Sequence, residues 1–193
     1  MKLLNKSLPY FILNIVIFGF LSNTLLAWSA GPPAYRTGAP DDAGTCSDVG
    51  CHNSYAVNSG SANFSIKAPT NYMAGEVVKI KVAFSNSNKK MHGFEMTAVD
   101  AKGNKVGTFK KIGTTTQLIP PNDLRGLQSA DNGKYIEQTF DGTRKKSWKF
   151  KWTPPSNAND PITFYAAGCA ADGNAVVTND YVYTTTAQIN ATP

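Results

Sequence analysis

Two cysteines and a histidine stand within seven residues near the N-terminus, as Cys46, Cys51 and His52 in the stretch Cys-Ser-Asp-Val-Gly-Cys-His. Covalent haem attachment uses this order, because two thiols can form thioethers with the haem vinyl groups and the histidine that follows can ligate the iron. The usual motif has two residues between the cysteines, and this one has four, including the flexible Gly50. The stretch therefore predicts one covalent haem c, with Cys46 and Cys51 as thioether anchors and His52 as proximal iron ligand.

Two other interpretations of the stretch stay open. A Cys46–Cys51 disulfide across four intervening residues is geometrically acceptable, and the histidine would then be incidental. With three cysteines in the chain, Cys169 is left over in either case, so the count does not discriminate. Zinc is the third interpretation, but the segment offers three ligands and no clear fourth. Haem is preferred over a disulfide because His52 directly follows Cys51.

The sixth iron position has two candidate ligands, His92 and Met91, at the start of a predicted strand. His92 would give a bis-histidine iron of lower potential, whereas a methionine would raise the potential. Met96 is interpreted as a core residue, because it shares the inward face of that strand with Phe94. An open sixth position, with small-ligand binding or peroxidase-like chemistry, is the remaining alternative.

Residues 1–30 have the pattern of a secretory signal peptide. Lys2 and Lys6 give a basic start, an apolar run covers 8–26, and small residues end at Ala30. The run is nearly long enough to span a bilayer, so an uncleaved anchor is the alternative. No later segment could span a membrane, and we expect no stable span after cleavage.

The chain carries a net charge of +6 at pH 7. Removal of residues 1–30 would leave 17 basic against 13 acidic residues, a charge of +4. This modest excess gives no case for nucleic-acid binding. Four of the lysines alternate with apolar residues along two predicted strands, at Lys79, Lys81, Lys149 and Lys151, which is typical of a solvated sheet face.

The rest of the chain predicts a β-rich fold. Segment 31–61 is rich in Gly, Pro, Ser and Asn and is expected to be irregular, followed by a sandwich domain over 62–193. Trp148, Phe150 and Trp152 share one face and should fill the core, while 100–104 is a predicted turn. Short stretches of strand pattern, which together predict an antiparallel immunoglobulin-like β-sandwich, occur at 78–84, 94–99, 106–112, 135–140, 148–152, 162–167 and 181–189.

Several pieces, taken in order, resemble the reelin-type (Reeler-like) β-sandwich domain of exported bacterial proteins, also called a choice-of-anchor domain. The resemblance covers about 37–186, and its pieces are 37–46, 50–53, 93–98, 148–155, 162–168, 170–174 and 180–183. It implies a reelin-like fold in the periplasm or at the cell surface of a Gram-negative-type bacterium. Members commonly carry a cysteine–cysteine–histidine stretch of short or longer spacing that looks like a c-type haem site. Cys169 departs from the family, which usually has asparagine there.

Together these features predict an exported monohaem c-type cytochrome that transfers electrons to or from redox partner proteins. Cys46, Cys51 and His52 would hold the haem, and the chain would not be an enzyme in its own right. The alternative is a haem-free extracellular β-sandwich that binds a partner or has a structural role, with a Cys46–Cys51 disulfide.

Overall fold

The structure, a computed structural model, describes residues 28–192, so that nearly all of the predicted signal peptide lies outside the described residues. These residues form ten β-strands and two short 3-10 helices, Ser129–Asp131 and Asp141–Arg144. The strands are β1 Asn63–Lys67, β2 Asn71–Tyr72, β3 Val78–Ser85, β4 Met91–Asp100, β5 Thr108–Lys111, β6 Thr116–Leu118, β7 Tyr135–Gln138, β8 Ser147–Thr153, β9 Ile162–Ala171 and β10 Tyr181–Ala191. No helix of this part of the chain is long and apolar enough to cross a membrane.

The strands form two sheets that pack face to face, which confirms the predicted all-β sandwich. Within the described range, one sheet has four strands in the order β1-β3-β8-β5, and the other has six in the order β2-β10-β9-β4-β7-β6. Neighbouring strands are antiparallel except for the short pairing of β2 with β10. The centre of the larger sheet is the long β4–β9 pair, in register from Met91 opposite Ala171 to Asp100 opposite Ile162.

The core lies between the two sheets, and the alternation of apolar and polar residues produces it. Trp148, Phe150 and Trp152 project inward from β8 and are fully buried, which confirms their predicted role. They meet aromatic side chains of the opposite sheet, with ring centroids 4.7 Å apart for Phe94 and Trp148 and 5.1 Å apart for Trp152 and Phe164. The predicted turn at 100–104 is also present and contains a glycine with positive φ.

The six-stranded sheet is covered on its outer face as well. Every residue from Phe94 to Val99 of β4 is buried, although strand side chains alternate between the two faces. Segment 31–61 and the connection between β6 and β7 provide the cover. Ala34 packs there with Ile119, Leu127 and Tyr135 in a small apolar cluster.

Glu95, in the middle of β4, holds the covering segment 31–61 against the sheet. Its buried carboxylate accepts the backbone N–H groups of Tyr35 at 3.0 Å and of Arg36 at 3.2 Å. Burial, together with the neighbouring carboxyl of Glu137, raises the pKa of Glu95 well above its ordinary value. Glu137, opposite it on β7, forms an ion pair with Arg125 of the covering connection. Buried polar contacts therefore dock an irregular segment that has little strand pairing of its own.

Replacement of Glu95 should weaken this docking according to whether an acceptor remains. Glu95→Ala leaves two partly buried N–H groups without their partner and opens a cavity, so it should lower the free energy of unfolding by roughly 2–4 kcal/mol. Glu95→Gln keeps one acceptor oxygen but turns an amide NH2 group toward the second backbone N–H, so it should cost less, roughly 1–2 kcal/mol. Urea denaturation at neutral pH measures both values. Equal losses for the two variants would show that the carboxylate oxygens do not hold the segment.

Candidate functional site around Cys46, Cys51 and His52

The stretch from Cys46 to His52 folds into a closed turn. The backbone N–H of His52 donates to the carbonyl of Cys46 at 3.0 Å, and that of Cys51 donates to Asp48 at 2.8 Å. Gly50 has a φ of +84°, a conformation that glycine adopts without strain. The longer spacing between the cysteines is thus accommodated by an outward bulge that keeps Cys46 and His52 close together.

The two cysteines of the turn have different surroundings. Cys46 is buried and packs with Ala167, Cys169 and Val182 on the outer face of β9 and β10. Burial raises the pKa of the Cys46 thiol, and it also raises the pKa of Cys51, which is partly exposed. Within the described residues all three cysteines are free thiols, so no disulfide joins Cys46 to Cys51. Cys51 is therefore the more accessible thiol.

His52 is held by a buried carboxylate that the sequence analysis did not identify. Its Nδ1 lies 2.7 Å from Oδ2 of Asp180, whose side chain is only 1% exposed. The other oxygen of Asp180 accepts the backbone N–H of Asp172 at 3.0 Å. A carboxylate on one ring nitrogen fixes the tautomer and orientation of the imidazole, and it leaves Nε2 as the nitrogen for a metal.

Cys169 completes a group of three potential metal ligands. A ring nitrogen of His52, the sulfur of Cys169 and a carboxylate oxygen of Asp180 all lie within 4.8 Å of one another. The β9–β10 pairing produces this arrangement, since Cys169 lies opposite Val182 and Asp180 immediately precedes β10. The sequence contained a weak signal for Asp180, in the family piece 180–183, but it did not reveal a role.

The structure separates the two candidate distal ligands onto opposite faces of the sheet. His92 is buried on the core side, where its Nε2 lies 2.7 Å from the Ser87 hydroxyl and its ring lies 5.1 Å from that of Phe84. Met91 belongs to the other face, because it lies two residues from Gly93, which is opposite Cys169. Met91 is thus a diagonal neighbour of Cys169, about 7 Å away. The structure brings Cys46, His52 and Cys169 to one face with Met91, and it does not bring His92 there.

Two surface cavities flank this region without including the turn. One, of about 300 Å³, is lined by residues 88–90 and 172–174. The other, of about 410 Å³, is lined by residues 59–62 and 87–89 with Tyr181 and Tyr183. Neither is bordered by Cys46, Cys51 or His52.

Comparison with known proteins matches the chain to one protein family. A model of the Reeler domain matches residues 44–172, about two thirds of the chain. The matched range includes the whole Cys46–His52 turn and the strands from β1 to β9. No curated protein matches the chain.

The buried position of His92 predicts a specific pH dependence. Burial, with a smaller effect of nearby Lys146, lowers the pKa of His92 to about 4. The folded protein therefore binds fewer protons than the unfolded chain between pH 6.5 and 4, and stability should fall by about 2–3 kcal/mol as the pH drops through that window. His92→Gln should lack this component of the pH dependence.

Urea denaturation of both proteins at pH 7 and pH 4 tests this. The carboxyl groups titrate in both proteins, so the difference between their pH dependences isolates His92. An identical loss of stability in the variant would contradict the buried, neutral state of this side chain.

Proposed function

Because the chain belongs to the Reeler domain family, whose match indicates an extracellular β-sandwich module, we propose that it works outside the cytoplasm, where it carries one haem c and transfers electrons. The observation that supports this best is the pairing of His52 with Asp180 directly beside Cys51. The imidazole is already oriented through Nδ1, and Nε2 remains for the iron. A simple disulfide loop does not need a histidine whose ring is oriented by a buried carboxylate.

The donor set fits a c-type haem. Cys46 and Cys51 supply two thiols for thioethers, and His52 supplies an imidazole of fixed orientation. Cys51 and His52 are partly exposed, whereas Cys46 is packed against Ala167 and Cys169. A vinyl group can therefore reach the Cys46 sulfur only when the turn lies away from the sheet.

Each protein group would have a defined role. When bound, a haem supplies a reversible one-electron change at its iron. His52 would be the proximal ligand, and the charge of Asp180 would increase the basicity of its ring and so favour the oxidised iron. Met91 is better placed than His92 as sixth ligand, because it shares the face of the sheet that carries Cys169. Burial of His92 against Ser87 suits a core residue instead.

We also propose the division of the mature chain into a haem-carrying segment, 31–61, and a sandwich, 62–193, after removal of residues 1–30. No catalytic role is proposed, in agreement with a family of non-enzymatic structural and binding modules. The partner would be another exported redox protein, in the periplasm or at the cell surface.

Expression with a cytochrome c maturation system tests the haem proposal. The purified protein should show a Soret band that survives denaturation and acid–acetone extraction. Cys51→Ser should lose most of the covalently retained pigment, and Asp180→Asn should raise the midpoint potential, because a negative charge next to the proximal ligand is removed. Asp141→Asn, an exposed aspartate in a 3-10 helix, is the matched control. A colourless wild-type protein would end the cytochrome proposal.

Substitution of each candidate distal ligand tests which of them binds the iron. Met91→Ala should convert the iron from low spin to high spin in the electronic spectrum, and His92→Ala should leave the spin state unchanged. The reverse result would reassign the sixth position to His92, and no change in either variant would indicate an open position.

A second candidate function is favoured by the cluster of His52, Cys169 and Asp180. In a haem-free module, these nitrogen, sulfur and oxygen donors would bind a divalent transition metal such as zinc, with a fourth position open. The two functions exclude each other, because both need His52.

Titration of the haem-free, reduced protein with Co²⁺ as a zinc substitute tests the second candidate. Binding should produce a thiolate-to-cobalt charge-transfer band, which Cys169→Ser should abolish and Cys51→Ser should keep, since Cys51 is outside the cluster. If Cys51→Ser abolishes the band, the ligands are those of the turn and not of the cluster. Mass spectrometry of the unreduced protein tests whether all three cysteines are free thiols, as they are in the structure.

A further inference from the structure

The outer face of the four-stranded sheet has an unusual composition. Its outward positions alternate with buried core residues, so their side chains point away from the sandwich. Among these strand positions none is acidic, and the nearest acidic residue in sequence, Glu76, lies outside β3. Six of them are lysines, which we call the lysine face: Lys67, Lys79, Lys81, Lys110, Lys149 and Lys151.

The strand register arranges these lysines in two rows. Lys81 of β3 lies opposite both Lys67 of β1 and Lys149 of β8. In the second row, Lys151 of β8 lies opposite both Lys79 of β3 and Lys110 of β5. Neighbours within a row are about 4.8 Å apart, and the rows are about 7 Å apart along the strands. The result is a two-dimensional array of positive charge.

This arrangement opposes folding stability. Like charges directly opposite each other on paired strands repel, and none of the six lysines forms an ion pair with another described residue. A solvated sheet face would need polar residues, but it would not need six of one sign with no acid among them. The chain has 13 acidic residues, and it places them elsewhere. A requirement for an anionic partner explains this segregation.

We propose that the lysine face binds the surface of an anionic lipid bilayer. The other outward positions on these strands are small or polar, namely Asn63, Ser65, Ala83, Ser85, Thr108, Ser147 and Thr153, so the ammonium groups can reach a common plane. A plane of lipid phosphates can engage both rows at once, whereas a single linear polyanion matches one row. At the margins, Val77 and Ile112 are 57% and 42% exposed and can enter the interfacial region. Each lysine close to such a surface strengthens binding about fivefold.

The binding is independent of the haem proposal. The lysine face lies on the four-stranded sheet, and the Cys46–His52 turn covers the outer face of the other sheet, on the far side of the sandwich. A bilayer on the lysine face would leave the turn open to partners.

Co-sedimentation of the exported full chain with lipid vesicles tests the inference. The vesicles contain equal parts of phosphatidylglycerol and phosphatidylcholine, or phosphatidylcholine alone. The double variant Lys79→Gln/Lys151→Gln removes a directly opposed pair from the lysine face. The control Lys90→Gln/Lys102→Gln removes the same charge from two exposed lysines outside it.

The wild type should bind the anionic vesicles only, salt should release it, and the face variant should bind roughly 25-fold more weakly. The control should lose less than about threefold.

Four results would overturn the proposal: no binding to anionic vesicles, equal binding to neutral ones, equal losses for the two double variants, or binding of heparin in place of vesicles. The last result would identify a soluble linear polyanion as the ligand. Urea denaturation excludes misfolding as a cause, because removal of the Lys79–Lys151 repulsion should leave the face variant at least as stable as the wild type.

Discussion

The buried carboxylate of Glu95 is the contact on which the candidate site depends. Segment 31–61 has no strand of its own and only an isolated bridge between Thr37 and Thr45. A carboxyl group loses hydration when it is buried, and Glu95 is tolerated because it accepts two backbone N–H groups. Since Tyr35 and Arg36 precede the Cys46–His52 turn by only about ten residues, this anchor decides which part of the sheet the turn covers.

The sandwich was predictable from the sequence because its strands alternate in polarity. β3 and β8 alternate along their full length, and the three aromatic residues of β8 identify the core face. The cover on the second sheet was not predictable in the same way. It consists of irregular chain that docks through single polar contacts such as Glu95 to Tyr35, and these leave no periodic pattern. The lysines of β3 and β8 were visible in the sequence, but their registration into rows required the strand pairing.

The site was predictable only in its local part. Cys46, Cys51 and His52 are close in sequence, so their proximity needed no fold. Asp180 and Cys169 join them through the β9–β10 register and the docking of a segment more than 110 residues away, which no local pattern encodes. The inward position of His92 could have been predicted from the sequence. The alternation that put Met96 on the inward face with Phe94 also puts His92 there, two residues before Phe94.

The burial of Cys46 has a consequence for the order of events during biogenesis. Once the segment has docked, this sulfur is enclosed by Ala167, Cys169 and Val182, so an enzyme that modifies it must act on a chain that has not yet closed. Pairings between distant residues, such as Met91 with Ala171, make sheets of this kind slow to fold, on a scale of milliseconds to seconds. If the proposed haem is attached at Cys46, that delay sets the time in which the attachment must occur. Under the haem proposal, covalent attachment at Cys46 therefore has to precede the docking of segment 31–61.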